Sequence, residues 1–164
     1  MPPAPTARLQ FRAWRDDDLP LARSLFGDPR VSALVGGPFD DDQIAARLRT
    51  EIATEREHGY QYWPIALHDG TDVGCCGLKP RGERVLELGF YVLPDHWGRG
   101  YATEASRAVI DYAFDVLRVD ALFAGHHPSN RSSAHTLAKL GFCYTHHELY
   151  PPTGMEHPGY ELRR

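Results

Sequence analysis

The chain has 164 residues, a length typical of one domain, with 42% hydrophobic and 24% charged residues as in ordinary soluble proteins. Its net charge of -4 argues against general nucleic-acid binding, and no apolar run reaches the roughly 18 residues of a membrane span. Residues 1–7 lack a secretory signal pattern and are predicted to be a flexible tail, so residues 8–164 are expected to form one cytoplasmic domain.

The cysteines and histidines do not have the spacing of a metal site. Cys75, Cys76 and Cys143 fit neither a disulfide framework nor a zinc motif, and we expect reduced, buried thiols. Among the nine histidines, 126–127 and 146–147 are adjacent pairs. Neighbouring residues on a strand point to opposite faces, so each pair offers at most one ligand per face and no metal is expected. A histidine lining a substrate site is the alternative.

Periodic hydrophobic patterns predict the first elements in chain order. A half-buried strand covers RLQFRAW, and helices follow in RDDDLPLARSLFGD and GGPFDDDQIAARLRTEIATEREHG. Asp40 and Gln43 have capping-box spacing at the start of the second helix, and Gly59 is expected to end it. Strands are then predicted in YQYWPIALH, DVGCCGLK and VLELGFYVL, with Pro64 at an edge or a bulge.

The second half alternates helices and strands. A long helix begins after Gly100, followed by the strand DALFAGH and a helix in SNRSSAHTLAKLGF. The closing strands, CYTHHEL and GYELRR, are predicted to flank the Pro-rich loop YPPTGMEHPG. This order predicts an α/β (α+β) fold, with one mixed sheet and helices on its faces.

The stretch LPDHWGRGYATEA, residues 93–105, leads from a strand into a helix. The first N–H groups of a helix lack intrahelical partners, its N-terminal end is positive, and glycines at 98 and 100 let an anion approach the backbone. With Arg99 beside them, these groups are a competent pyrophosphate site. The motif alone leaves a plain strand-to-helix turn open.

A longer segment, ELGFYVLPDHWGRGYATEASRAVIDYAF, closely resembles the acetyl-CoA-binding motif of the GNAT superfamily of N-acetyltransferases. In particular it resembles the ribosomal-protein-alanine N-acetyltransferase branch (RimJ/RimL type). Downstream, HHPSNRSSAHTLAKLGF resembles that branch's second signature, an Asn, a Ser three positions later and then Leu-x-Lys-Leu-Gly-Phe. The resemblance covers nearly the whole chain.

The resemblance implies a single GNAT-type domain with a mixed, mostly antiparallel sheet of six to seven strands and helices on both faces. Two parallel central strands, near 86–93 and 121–125, splay apart and hold acetyl-CoA as a cosubstrate, with no metal. The cofactor-binding residues that it implies are Tyr91, Val92, Leu93, Trp97, Gly98, Arg99, Gly100, Tyr101, Ala102, Thr103, Asn130 and Ser133.

The implied reaction is direct acetyl transfer to a primary amine, either a protein N-terminal α-amine or a small-molecule amine. Glu87 is the candidate base, with an ion-paired surface carboxylate as the alternative. Ser133 is the candidate acid, with a helix-start residue as the alternative, because Leu137 stands where many family members have a tyrosine. The oxyanion donor is expected on a bulge near residues 91–93.

Acceptor recognition is implied for residues 27–40 and 150–159. The residues considered there are Phe26, Phe39, Asp40, Asp41, Asp42, Tyr150 and Glu156, together with Tyr60, Tyr62 and Trp63 as pocket or core residues. The aspartates either attract a cationic amine or only begin a helix. A homodimer is compatible with the sequence, and a non-catalytic acyl-CoA-binding or interaction module is the alternative function.

Overall fold

The computed structural model describes residues 1–164 as one sheet of seven strands with five α-helices. No helix combines the length and apolar character needed to cross a membrane. The strands are β1 Leu9–Phe11, β2 Tyr62–Leu67, β3 Asp72–Gly82, β4 Val85–Val92, β5 Ala121–Gly125, β6 Cys143–Tyr150 and β7 Met155–Leu162. The helices are α1 Leu19–Phe26, α2 Pro29–Ser32, α3 Asp41–His58, α4 Tyr101–Asp115 and α5 Arg131–Lys139.

The strand order is β1-β2-β3-β4-β5-β7-β6, and only β4 and β5 run parallel. Their pairing covers three positions, from Val85↔Ala121 to Glu87↔Phe123. Past these pairs, β4 remains paired with β3 as far as Gly74↔Val92, and β5 remains paired with β7 as far as Gly125↔Gly159. The predicted mixed sheet with a splayed parallel pair is therefore confirmed.

The two faces of the sheet bury different cores, because neighbouring side chains on a strand point in opposite directions. Cys76 and Trp63 belong to the larger cluster, which packs under α4 and α5. Cys75 and Tyr62, one position away on the same strands, belong to a second cluster with α1 and α3. Helices therefore cover both faces, as predicted.

Local sequence signals determine where the two long helices lie. The Asp40 carboxylate accepts the Gln43 N–H at 2.8 Å, and the Gln43 side chain accepts the Asp40 N–H at 3.0 Å, which confirms the predicted capping box. Gly59 ends α3 in the left-handed region at φ +77°. The stripe of α4 that packs on the sheet includes Ala105, Val109 and Ala113, each fully buried.

Three local expectations are corrected by the structure. The first helix ends at Phe26, but residues 29–32, for which no element was predicted, form the separate helix α2, which Asp28 caps by accepting the Arg30 N–H at 2.9 Å. The closing loop is shorter than 150–159, since β6 and β7 form a long hairpin around residues 151–154. The register of β4 is continuous from Leu86 to Val92, so the bulge expected near 91–93 is wrong.

Pro64 and the N-terminal segment also have defined surroundings. Pro64 lies in an inner strand beside a register shift between Ile65 and Ala66, which matches the bulge rather than the edge alternative. In residues 1–7, Pro3 is buried and the Thr6 hydroxyl donates to Glu104 at 2.6 Å. The segment that precedes β1 therefore contacts the start of α4.

Gly77 and Gly82 on β3 provide a matched test of this packing. A Cβ on Gly77 would overlap the backbone carbonyl oxygen of Gln61, whereas a Cβ on Gly82 would meet no atom within 4 Å. We expect Gly77→Ala to lower the free energy of unfolding by about 3 kcal/mol through overpacking. Gly82→Ala should change it by less than about 0.5 kcal/mol in the same denaturant titration. Equal stability of the two variants would contradict the described β2–β3 pairing.

Candidate functional site

A cavity of about 730 Å³ opens where β4 and β5 separate. The Leu93 N–H bonds to the Val73 carbonyl at 2.8 Å, so by the alternation of an antiparallel ladder the N–H and C=O of Val92 point away from β3. They point towards the gap, where they have no strand partner. A more open groove of about 950 Å³ follows the outer side of α4 and shares Gly100 and Thr103 with the cavity.

The start of α4 presents six consecutive backbone donors beside this gap. None of the N–H groups from Gly98 to Thr103 has a hydrogen-bond acceptor within the chain. Gly98 and Gly100 have φ values of +73° and +79°, a conformation that glycine adopts without strain. Unpaired N–H groups at the positive end of a 15-residue helix are donors of the kind that an anion requires, and we call these six groups the N–H cradle.

Arg8 is a cation beside the N–H cradle that the sequence analysis missed. Its guanidinium lies over the Tyr101 ring at 4.6 Å, donates to the Arg99 carbonyl at 2.9 Å and bonds through Nε to Glu104 at 2.6 Å. Partial burial acts to raise the pKa of Glu104, but hydrogen bonds from Thr6 and Arg8 hold that pKa below its usual value. Glu104 therefore stays ionised and anchors Arg8.

Trp97 contacts the unpaired edge of β4. Its indole N–H donates to the Val92 carbonyl at 2.8 Å, while about half of its surface (51%) is exposed. One of the two backbone groups of Val92 that face the gap therefore already has a partner, and its N–H is the one left for another molecule. Leu93 differs, because its N–H is used by β3 and its side chain packs on the α1–α3 core.

Glu87 lies on the cavity wall within a group of alternating charges. Lys79 Nζ is 3.0 Å from one carboxylate oxygen, and Arg81 Nη1 is 3.8 Å from the other. Arg81 also pairs with Glu148 at 2.7 Å and stacks over the Phe123 ring at 3.7 Å. The carboxylate is therefore ion-paired, as in the alternative interpretation, and it also faces the site.

Asn130 and Ser133 lie across the gap at the start of α5. The Asn130 carbonyl oxygen caps the helix by accepting the Ser133 N–H at 3.1 Å, which leaves its amide group free to donate. Both residues line the cavity, and the Ser133 hydroxyl makes no hydrogen bond within the chain. Leu137 is 1% exposed and belongs to the core.

Histidines after β5 and in β7 form another part of the wall. His126 Nδ1 lies 2.8 Å from the His127 carbonyl and therefore carries the proton, because a carbonyl oxygen only accepts. His127 Nδ1 accepts the Ser129 N–H at 3.0 Å. His157 stacks on Tyr150 at 4.6 Å, and burial together with His127 and His126 lowers its pKa. The chain has no group of three or more His, Cys, Asp or Glu that could hold a metal ion.

The cysteines are outside this site. Burial raises the pKa of Cys76 to about 12 and also raises that of Cys75, so both thiols are protonated at neutral pH. Cys143 is exposed at the first position of β6, so the expectation of a buried thiol is wrong for this residue. None of the three lines the cavity.

Most of the residues expected at the site line the cavity, but Leu93 and Arg99 do not. Those that line it are Glu87, Tyr91, Val92, Trp97, Gly98, Gly100, Tyr101, Ala102, Thr103, Asn130 and Ser133.

Of the residues expected near an acceptor, Tyr62 and Tyr150 line the cavity. Trp63 is fully buried core, Asp40 caps α3, and Asp41 pairs with Arg23 at 2.9 Å. The others, Phe26, Phe39, Asp42, Tyr60 and Glu156, do not line it.

Comparison with known proteins agrees with this geometry. Residues 8–143 match the family model of the acetyltransferase (GNAT) domain. The uncharacterized protein YkkB of Bacillus subtilis is 31% identical over 145 residues, covering 85% of this chain and 84% of YkkB. The FsC-acetyl coenzyme A-N(2)-transacetylase of Aspergillus fumigatus is 30% identical over 171 residues, covering 92% of this chain and 71% of that protein.

Among solved structures, an acetyltransferase from Agrobacterium tumefaciens superimposes with a TM-score of 0.87 at 30% identity, covering 100% of this chain and 95% of that one. The chain therefore belongs to the GNAT family. This is a family of acetyltransferases whose members use acetyl-CoA. The predicted superfamily is confirmed, while the ribosomal-protein branch stays a prediction.

Proposed function

We propose that the protein transfers the acetyl group of acetyl-CoA directly to a primary amine. The observation that carries this proposal is the N–H cradle, six unpartnered donors at the helix end that borders the β4–β5 gap. A pyrophosphate needs several donors and a positive field, and a pantetheine chain needs an unpaired strand edge. The residues present fit both needs.

The proposed contacts follow from the free groups of the site. The N–H groups of Gly98 to Thr103 bind the pyrophosphate, with Arg8 as the nearby cation. The pantetheine chain lies along the unpaired edge of β4 and uses the Val92 N–H, because Trp97 already occupies the Val92 carbonyl. The Asn130 amide donates to the same chain from the opposite side of the gap.

The transfer needs a group that accepts a proton and a group that returns one. The amine nitrogen bonds to the acetyl carbon, the C–S bond of the thioester breaks, the amine loses one proton and the CoA thiolate gains one. We assign proton removal from the amine to Glu87, which lies in the cavity, and proton delivery to the thiolate to Ser133, whose hydroxyl is unpartnered. Lys79 and Arg81 contact the Glu87 carboxylate at 3.0 and 3.8 Å and hold it on the cavity wall.

The name of one relative supports acetyl transfer, and the state of the cysteines supports a location. The Aspergillus fumigatus relative is named as a transacetylase that uses acetyl coenzyme A. The three cysteines are unpaired, and two of them are buried, which fits a reducing compartment. We therefore propose a cytoplasmic location.

One observation favours the alternative of a non-catalytic acyl-CoA-binding module. Leu137 occupies the position of the tyrosine that many family members use, and it is buried in the core, so this position offers no proton donor. A thiol-release assay with acetyl-CoA, small amines and N-terminal peptides separates the two functions. Binding of acetyl-CoA without release of CoA in the presence of any amine would favour the module.

Gly98→Ala and Gly59→Ala form a matched pair for testing acetyl-CoA binding. The two glycines have φ values of +73° and +77°, and a Cβ on either would meet no atom within 4 Å, so the backbone strain is alike. Only Gly98 belongs to the N–H cradle. We expect Gly98→Ala to weaken acetyl-CoA binding in calorimetry by about tenfold or more, since a methyl group blocks close approach to the backbone. Gly59→Ala should bind like the unaltered protein, and equal affinities of the two variants would contradict the N–H cradle.

Glu87→Gln and Lys79→Gln separate a base from a merely ion-paired carboxylate. Both variants break the same 3.0 Å ion pair, but only the first removes the carboxylate. We expect Glu87→Gln to lower kcat by about 100-fold and to abolish the fall in rate on the acidic side that a carboxylate base produces. Lys79→Gln should retain that acidic limb. If the two variants have the same rates and pH profiles, Glu87 is not the base.

A further inference from the structure

Part of the cavity is lined by segments other than β4, β5, α4 and α5, and we call this part the second end. Its lining residues from these segments are Arg30, Val31, Leu34 and Val35, and from the β6–β7 hairpin Glu148, Leu149, Tyr150, Pro151, His157 and Pro158. The two segments pack closely, because a Cβ on Gly36 would lie only 2.7 Å from the Cβ of Pro152. If acetyl-CoA occupies the N–H cradle and the gap, the second end is the part left for the acceptor.

The surface of this end is largely apolar. Val31, Leu34 and Val35 line it from the α2 side, and Leu149 and Pro151 line it from the hairpin. Leu34 is 36% exposed and Leu149 is 62% exposed, although both are large aliphatic side chains. Two exposed leucines at the edge of one cavity provide apolar surface that a bound molecule can cover.

The carboxylates of the cavity leave no partner for a second cation. Only Glu87 and Glu148 line it among acidic residues, and each is within 3.0 Å of a Lys79 or Arg81 nitrogen. The nearby aspartates considered for attracting an amine are used outside the cavity, as the Asp40 cap and the Asp41–Arg23 pair show. An additional ammonium in this cavity would be desolvated without a matching anion, which is costly.

No polar side chain at this end offers an unpaired negative charge, since Arg30 is a cation and Glu148 is paired with Arg81. Burial raises the pKa of Tyr150 to about 12 and also raises the pKa of Tyr62 well above its usual value. The lowered pKa of His157 keeps its imidazole uncharged. These groups can donate or accept a hydrogen bond, but they add no negative charge.

We infer that the acceptor is a primary amine with a single positive charge, carried on an apolar chain or ring that covers Leu34 and Leu149. This inference rests on the proposed acetyl transfer and names its acceptor class. It excludes polyamines as the preferred acceptors. An aliphatic or aromatic monoamine and a peptide with an apolar first residue share the required chemistry.

The test compares hexylamine with 1,6-diaminohexane, which have the same chain length and differ in the second ammonium. We expect kcat/KM for hexylamine to be about tenfold higher or more in a thiol-release assay with acetyl-CoA. Phenethylamine and the peptide Phe-Ala-Ala, assayed in parallel, distinguish a small amine from a peptide N-terminus as the source of this chemistry. Use of either one supports the inference.

Leu149→Glu and Met155→Glu provide the matched variants. Both side chains are exposed on the same hairpin, but only Leu149 lines the cavity. A carboxylate at 149 should shift the kcat/KM ratio towards 1,6-diaminohexane by about fivefold, whereas one at 155 should leave the ratio unchanged.

Results that contradict the acceptor class differ from results that contradict acetyl transfer. Faster or equal turnover of 1,6-diaminohexane by the unaltered protein, or an unchanged ratio in Leu149→Glu, would overturn the acceptor class while leaving acetyl transfer intact. Absence of thiol release with every amine, although acetyl-CoA binds, would overturn the proposed function itself.

Discussion

The site depends on the early end of the β4–β5 pairing. These parallel strands pair only as far as Glu87↔Phe123, and each then continues with a partner on its other side. Because β3 holds β4 to Val92 and β7 holds β5 to Gly125, neither strand can move across to close the gap. Backbone groups with no strand partner are costly when buried, so binding of a molecule that supplies hydrogen bonds to them is favourable.

The rest of the site is arranged around this gap by its neighbours. The two positive-φ glycines turn the chain so that the free N–H groups of α4 border the gap from one side. Arg81 connects β3 to β5 through its stacking on Phe123, and it also pairs with Glu148 of β6. Because it also contacts Glu87 of β4, this one side chain joins its own strand to three others and balances the charge around Glu87.

The sequence predicted the features that depend on local signals. The capping box of Asp40, the stop at Gly59 and the sheet-facing positions of α4 needed only neighbouring residues, and they are confirmed. Helix α2 was missed although Asp28 followed by Pro29 is a local start signal. Pro158 was interpreted as loop, but it lies one residue beyond the last β5–β7 pair, where a missing N–H costs no bond to β5.

Contacts between distant positions could not be predicted. Arg8 reaches the N–H cradle from 91 positions away, and no periodicity links Arg81 to Phe123 or Tyr150 to His157. Whether Tyr62 or Trp63 lines the cavity depends on which face of β2 meets which helix layer. A strand with apolar residues on both faces carries no signal for this orientation.

Hydrogen exchange of individual amides tests the account most directly. The N–H groups of Gly98 to Thr103 have no acceptor in the free protein and should exchange rapidly. If they bind the pyrophosphate, saturating acetyl-CoA should slow their exchange by about tenfold or more, while an unpaired amide outside the cavity, such as that of Asp42 at the start of α3, stays unchanged. Binding of acetyl-CoA with no change in exchange at residues 98–103 would contradict the N–H cradle.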